Sequence, residues 1–126
     1  MTPILIKSFL AAAAMGGNLI ARAAADSSVQ EAGAATHALV GITDQMGAAE
    51  GRMVDVVQLG WAELRLGGAV SFGDPLTSDD EGRGVEAEPT AGAIVRTVAI
   101  AMSDGVEDDI IPVYVTLGVI ATPAAE

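Results

Sequence analysis

The stretch Arg52-Met-Val-Asp-Val-Val-Gln-Leu-Gly-Trp-Ala-Glu-Leu-Arg-Leu66 decides the fold. Its first half mixes β-branched and apolar residues with polar interruptions. Its second half alternates, placing Glu63 and Arg65 on the face opposite Leu64 and Leu66. A period of two belongs to a half-buried strand, whereas a helix would repeat about every 3.6 residues. Leu59-Gly60 then reads as the join between two strands, residues 52–58 and 61–66.

The same pattern extends outward in both directions. Residues 38–42 form a short apolar run closed by Thr43-Asp44, and residues 93–101 and 109–117 are two further apolar runs separated by Ser103-Asp104-Gly105. Pro112 has no N–H to give to a ladder, so its strand is expected at an edge or a bulge. Turns are expected at 73–76, 79–84 and 103–108, where glycine supplies positive φ and aspartate caps its own turn. Strands recurring at about ten-residue spacing, with no long helical period, predict an all-β body: a small β-barrel or β-sandwich. Residues 26–120 make this β-rich body, and residues 121–126 read as a flexible tail.

Composition limits what such a body can be. The chain has 126 residues, enough for one domain, and is 51% hydrophobic but only 3% aromatic. A core built from Ala, Val, Ile and Leu is thin. Trp61, the lone tryptophan, reads first as the largest core residue and second as an interface anchor. There is no cysteine, which excludes disulfides, thiolate metal sites and cysteine nucleophiles. The net charge of −11 argues against direct binding of nucleic acid or of an anionic membrane.

Residues 1–25 differ from the rest, having no Asp or Glu but carrying Lys7 and Arg22. A cleaved secretory signal ending at Ala23-Ala24-Ala25 is one reading, and it would make the chain a secreted or periplasmic β-rich binding protein. The layout fits poorly, because Lys7 follows Ile4-Leu5-Ile6, the apolar run from Phe9 stops at Gly16-Gly17, and Arg22 sits where small neutral residues belong. The segment also breaks too early to span a membrane. The competing reading is an extended N-terminal arm, favoured by Pro3 and the β-branched Ile4 and Ile6. Ala11 to Ala14 fit either a helical turn or extended chain. Such an arm, hinged at Gly16-Gly17, is expected to project and add a strand to a neighbour, with Ile4, Leu5, Ile6, Lys7, Phe9 and Leu10 in contact.

No catalytic, metal or cofactor site is expected. The acidic stretch Gly68-Ala-Val-Ser-Phe-Gly-Asp-Pro-Leu-Thr-Ser-Asp-Asp-Glu-Gly-Arg-Gly-Val-Glu-Ala-Glu88 has a glycine after Asp79-Asp80-Glu81 but lacks the alternating carboxylates of a calcium loop. His37 is the only histidine, and no Gly-x-Ser-x-Gly elbow supplies it with a nucleophile. Trp61, Glu63 and Arg65 form a candidate subunit interface, with Glu63 and Arg65 able to pair across strands or subunits.

The order of these elements resembles the phage capsid decoration, or head cement, proteins. The similarity runs over residues 1–120 and is carried by Gly67-Gly68, Gly73-Asp74-Pro75-Leu76 and Asp80-Glu81-Gly82, followed by a hydrophobic strand, a turn and a last strand. The opening Met-Thr-Pro-Ile-Leu-Ile-Lys-Ser-Phe-Leu is also similar to members of that family, where it belongs to the mature protein. The resemblance implies a non-enzymatic protein on the outside of an icosahedral head, made in the host cytoplasm. It further implies a homotrimer whose partner is the major capsid protein, tying neighbouring subunits together against internal DNA pressure.

Overall fold

A computed structural model describes residues 3–24, 28–34, 38–87 and 94–121. Among these there is no helix, and nine strands follow in order: β1 Pro3–Ala11, β2 Ile20–Ala23, β3 Ser28–Glu31, β4 Leu39–Thr43, β5 Met53–Arg65, β6 Pro75–Ser78, β7 Gly84–Glu86, β8 Ile94–Ala101 and β9 Ile110–Ala121. The fold is all-β, a closed barrel with extra strands.

The deciding stretch is one strand of 13 residues, where the sequence suggested two. Its partner register steps from Leu5↔Leu59 to Ile6↔Val57, so Gln58 is an extra residue and the strand bulges. Gly60 follows with φ of 102°, a left-handed conformation that a side chain would strain. The bulge shifts the alternation by one residue. Val54 and Val56 therefore face one core, while Val57, Ala62 and Leu64 face another.

The first core is enclosed by a ring of strands in the order β1-β3-β2-β4-β5, closed by the pairing of β1 with β5. Only β1 and β3 run parallel, through Leu10↔Ser28 and Ala11↔Val29; the other pairs are antiparallel. Ala11, Met15, Ala21, Val29, Val54 and Val56 fill it, with Phe9, Val40 and Ala48 against them. The second core lies between the outside of the ring and a sheet that continues from β5 through β9, β8, β6 and β7, open except where Gly84 of β7 bridges back to Leu66, just past β5. Ile20, Leu39 and Ile42 of the ring meet Leu64, Leu66, Leu76, Val98, Ile111, Val113 and Val115 there, with β4 facing β8 and β9.

The N-terminal segment is extended, as its β-branched residues suggest, but residues 3–11 do not project. They pair along β5 in the same chain, with Lys7↔Val56, Ser8↔Asp55, Phe9↔Val54 and Leu10↔Met53 in register. Pairing within the chain involves no loss of translational freedom, and it satisfies backbone groups on both strands that would otherwise form open edges. Ala11 ends β1 and the chain bends through Ala12 and Ala13 without helix. Gly17 is no hinge, because a Cβ there would overlap the Gln45 carbonyl. Thr43 fastens the same loop, its buried hydroxyl donating to the Gly16 carbonyl (2.9 Å) and accepting from the Leu19 N–H (3.1 Å). Cleavage after Ala25 would remove β1 and β2, and with them Ala11, Met15, Ile20 and Ala21 from the two cores.

Pro112 also departs from expectation, lying in β9 between β5 and β8 and not at an edge. Its carbonyl accepts from the Met102 N–H (3.1 Å), and the return bond that proline cannot make falls just past Ala101↔Val113, where the β8 ladder ends. The turn expected at 73–76 sits earlier, since β6 begins at Pro75; Asp74 closes it by accepting from the Ser71 N–H (2.9 Å). Of the tail expected at residues 121–126, Ala121 is the last residue of β9, paired with Ile94, and residues 122–126 lie outside the described residues.

Candidate docking surface

The bulge in β5 brings one row of side chains to the outer face of the open sheet. Trp61 lies opposite Tyr114, Tyr114 opposite Ile100, and Ile100 opposite Pro75. Directly paired residues share a face, so the row runs across β5, β9, β8 and β6. Leu59 stands two residues before Trp61 and pairs with Leu5, carrying the apolar strip onto β1. Trp61 is 39% exposed, Leu59 37% and Leu5 49%. The Trp61 and Tyr114 rings meet edge to face, 6.2 Å apart at 83°, which stiffens two large apolar groups that water can still reach.

Trp61 is therefore not a core residue, although it is the largest side chain in the molecule. The alternation that buries Ala62 and Leu64 turns it outward. Glu63 shares its face but stands opposite Pro112, so the cross-strand ion pair expected for it is not made within the described chain. Arg65 reaches instead toward the Asp108 carbonyl (3.5 Å). The arm residues are divided: Leu5 joins Trp61, whereas Leu10, opposite the exposed Met53, lies on the outside of the ring. Ile6 pairs with Val57, Phe9 packs against the ring core, and the Lys7 amine sits 5.7 Å from the Phe9 ring. The side chain of Ile4 lies outside the described residues, as does His37. Leu59, Ile100 and Tyr114 escaped the sequence reading, although Tyr114 between Val113 and Val115 carries the signal, being of opposite parity to two core positions.

The acidic stretch organises a turn. Asp79 Oδ1 accepts from the N–H groups of Glu81 (2.8 Å) and Arg83 (2.9 Å), while its Oδ2 meets Arg83 Nε at 2.9 Å. Arg83 also lies within ion-pair reach of Glu81, Glu107 and Asp108, tying the β6–β7 turn to the β8–β9 turn. Burial disfavours its charge, but Asp79, and after it Glu81 and Asp108, outweigh that effect and raise its pKa above the ordinary arginine value. Beside this cluster is a groove of about 490 Å³ lined by Leu19, Glu31, Arg65, Asp80, Glu81, Arg83 and Asp108. Its carboxylates are already committed in part, Glu31 to the Gly16 N–H (2.9 Å) and Glu81 to Arg83. Among the described residues no group of three or more His, Asp or Glu is placed to hold a metal ion.

What the fold and surface define among the described residues is an all-β framework, a closed barrel fused to a further sheet, that displays an apolar strip on an acidic body. The chain is similar in structure to the head fiber gp8.5 N base of bacteriophage phi29, with a TM-score of 0.62 and 12% identity, over 89% of this chain and 93% of that one. At that identity the likeness establishes a shared fold. No family model and no curated protein matches the sequence.

Proposed function

We propose that the chain is a non-enzymatic structural protein of a phage head, bound to the outside of the icosahedral capsid, where it stabilises contacts between major capsid protein subunits. The observation that carries this reading is the fold shared with a head fiber base over nearly the full length of both chains. The apolar strip supports it: Leu5, Leu59, Trp61 and Tyr114 offer rigid anchors of the kind that dominate protein interfaces. In this reading the strip faces the capsid subunit, the acidic remainder faces solvent, and copies assemble as a homotrimer.

The test adds purified full-length protein to undecorated heads, followed by co-sedimentation and cryo-EM. Density outside the shell across capsid subunit boundaries, together with heads that resist heat or chelation better, is the expected result. Saturating amounts of protein that leave the heads bare would sink the proposal. Leu59→Glu should abolish binding while the isolated protein keeps its β-sheet circular dichroism.

A further inference from the structure

Two grooves lie where the ring meets the second sheet, and they treat their carboxylates differently. The groove beside Arg83 brings its own cations, since Arg65 and Arg83 line it together with Glu31, Asp80, Glu81 and Asp108. The other, of about 300 Å³, holds Asp44 and Glu63, and among the described residues that line it there is neither lysine nor arginine. Ile6, Met46, Val57 and Ala62 give it an apolar lining. Its rim is firmly built. Asp44 Oδ1 accepts from the N–H groups of Met46 (3.1 Å) and Gly47 (3.2 Å), and the Asp44 carbonyl accepts from the Asn18 N–H (3.1 Å). That leaves Asp44 Oδ2 and the whole Glu63 carboxylate without a hydrogen bond or ion pair among the described residues.

We infer that this second groove receives a basic side chain, lysine or arginine, of the protein that covers the Trp61 strip. Charge selects the head of the occupant: two free carboxylates that the chain supplies with no cation favour an ammonium or guanidinium group. The apolar lining selects the rest, because lysine and arginine lay a hydrocarbon stem on apolar surface while the charged head stays at the polar rim. Size agrees, since about 300 Å³ is the bottom of the range for small-molecule sites and suits one long side chain. Position names the owner. Glu63 stands two residues past Trp61 on the same face of β5, so a partner seated on Trp61 and Leu59 brings its neighbouring side chains to the rim. A second copy of this chain is disfavoured, because two bodies carrying −11 repel each other. The inference rests on the docking reading above and adds the partner's chemistry: an apolar patch bordered by an exposed lysine or arginine.

The first arm of the experiment uses the full chain without heads, so its failure is separable from failure of head binding. The probe is Nα-acetyl-arginine methylamide, and its citrulline counterpart, alike in shape but uncharged, is the control. NMR titration should show saturable shifts at the amides of residues 43–46 and 62–63 at roughly millimolar arginine probe, and none from citrulline. Glu63→Gln should weaken binding about 3- to 5-fold, the scale of an exposed ion pair. Glu50→Gln, an exposed carboxylate outside the groove, should leave it unchanged. In the second arm, with undecorated heads, Glu63→Gln should lower head affinity by at least as much and flatten its dependence on salt. Shifts that never appear, that citrulline reproduces or that Glu63→Gln leaves unaltered overturn the inference. So does equal head binding by native and Glu63→Gln protein at low salt, or self-association that Glu63→Gln abolishes, which would give the groove to a second copy. Heads left bare by a native protein that still binds the probe would sink the head reading and uphold the groove's preference for a cation.

Discussion

The two cores of this protein solve the same problem with different means. The ring is filled with alanine, valine and a single buried methionine, whereas the space under the open sheet holds Leu64, Leu66, Leu76, Ile20 and Ile42, all essentially inaccessible to water. Small side chains bury little apolar area each, so the ring gains less from the hydrophobic effect. Closure compensates, because a closed ring leaves no strand edge unpaired. The other sheet comes back to β5 through the single Leu66↔Gly84 bridge among the described residues and depends on larger side chains. A chain with few aromatics can therefore fold where topology, and not side-chain bulk, does part of the stabilising.

The sharpest way to break this contrast is Leu64→Ala, which empties part of the larger core and should cost about 2–5 kcal/mol. Urea denaturation reads it as a lowered midpoint. Val54→Ala in the ring removes only two carbons and should cost about 2 kcal/mol. If the two losses come out equal, the distinction between the cores fails. Third, Asp79→Ala takes away the acceptor for two N–H groups and the partner of Arg83, with an expected cost of about 1–2 kcal/mol. Its hydrogen-exchange effect should concentrate in residues 79–84, leaving ring amides protected. Smallest is Trp61→Ala, expected to change stability by less than about 1 kcal/mol because the ring is half outside the fold. A loss as large as that of Leu64→Ala would return Trp61 to the core and remove it from any docking surface.

Much of the architecture was legible in the sequence. Period-two alternation announced the strands, and glycine with aspartate marked the turns at Asp79 and Ser103. The projection expected of the arm did not hold for residues 3–11, for a physical reason: an extended apolar segment reads the same whether its partner edge lies in its own chain or in a neighbour. Only the register of β1 on β5 distinguishes the two. Leu59-Gly60 misled in a similar way, since a glycine that ends a strand and a glycine that follows a bulge inside one look alike locally. Trp61 shows the limit of composition. Its size favoured burial, but parity within the strand decided its direction. Leu59, Ile100 and Tyr114 converge with it only because β5, β9 and β8 lie side by side, a fact of topology that no single strand encodes.

The pairing of β1 with β5 also sets a timetable for synthesis. Ser8 meets Asp55, 47 positions later in the chain, so at ordinary translation rates β1 waits roughly 2–10 s after leaving the ribosome for its partner. Through that interval Leu5, Ile6 and Leu10 belong to a nascent chain with no finished edge to receive them. Contacts this distant in sequence slow folding, and the first strand made can lock only once the fifth has emerged. Chains interrupted before residue 53 would carry the same apolar segment without its β5 partner, which makes incomplete products stickier than the finished protein.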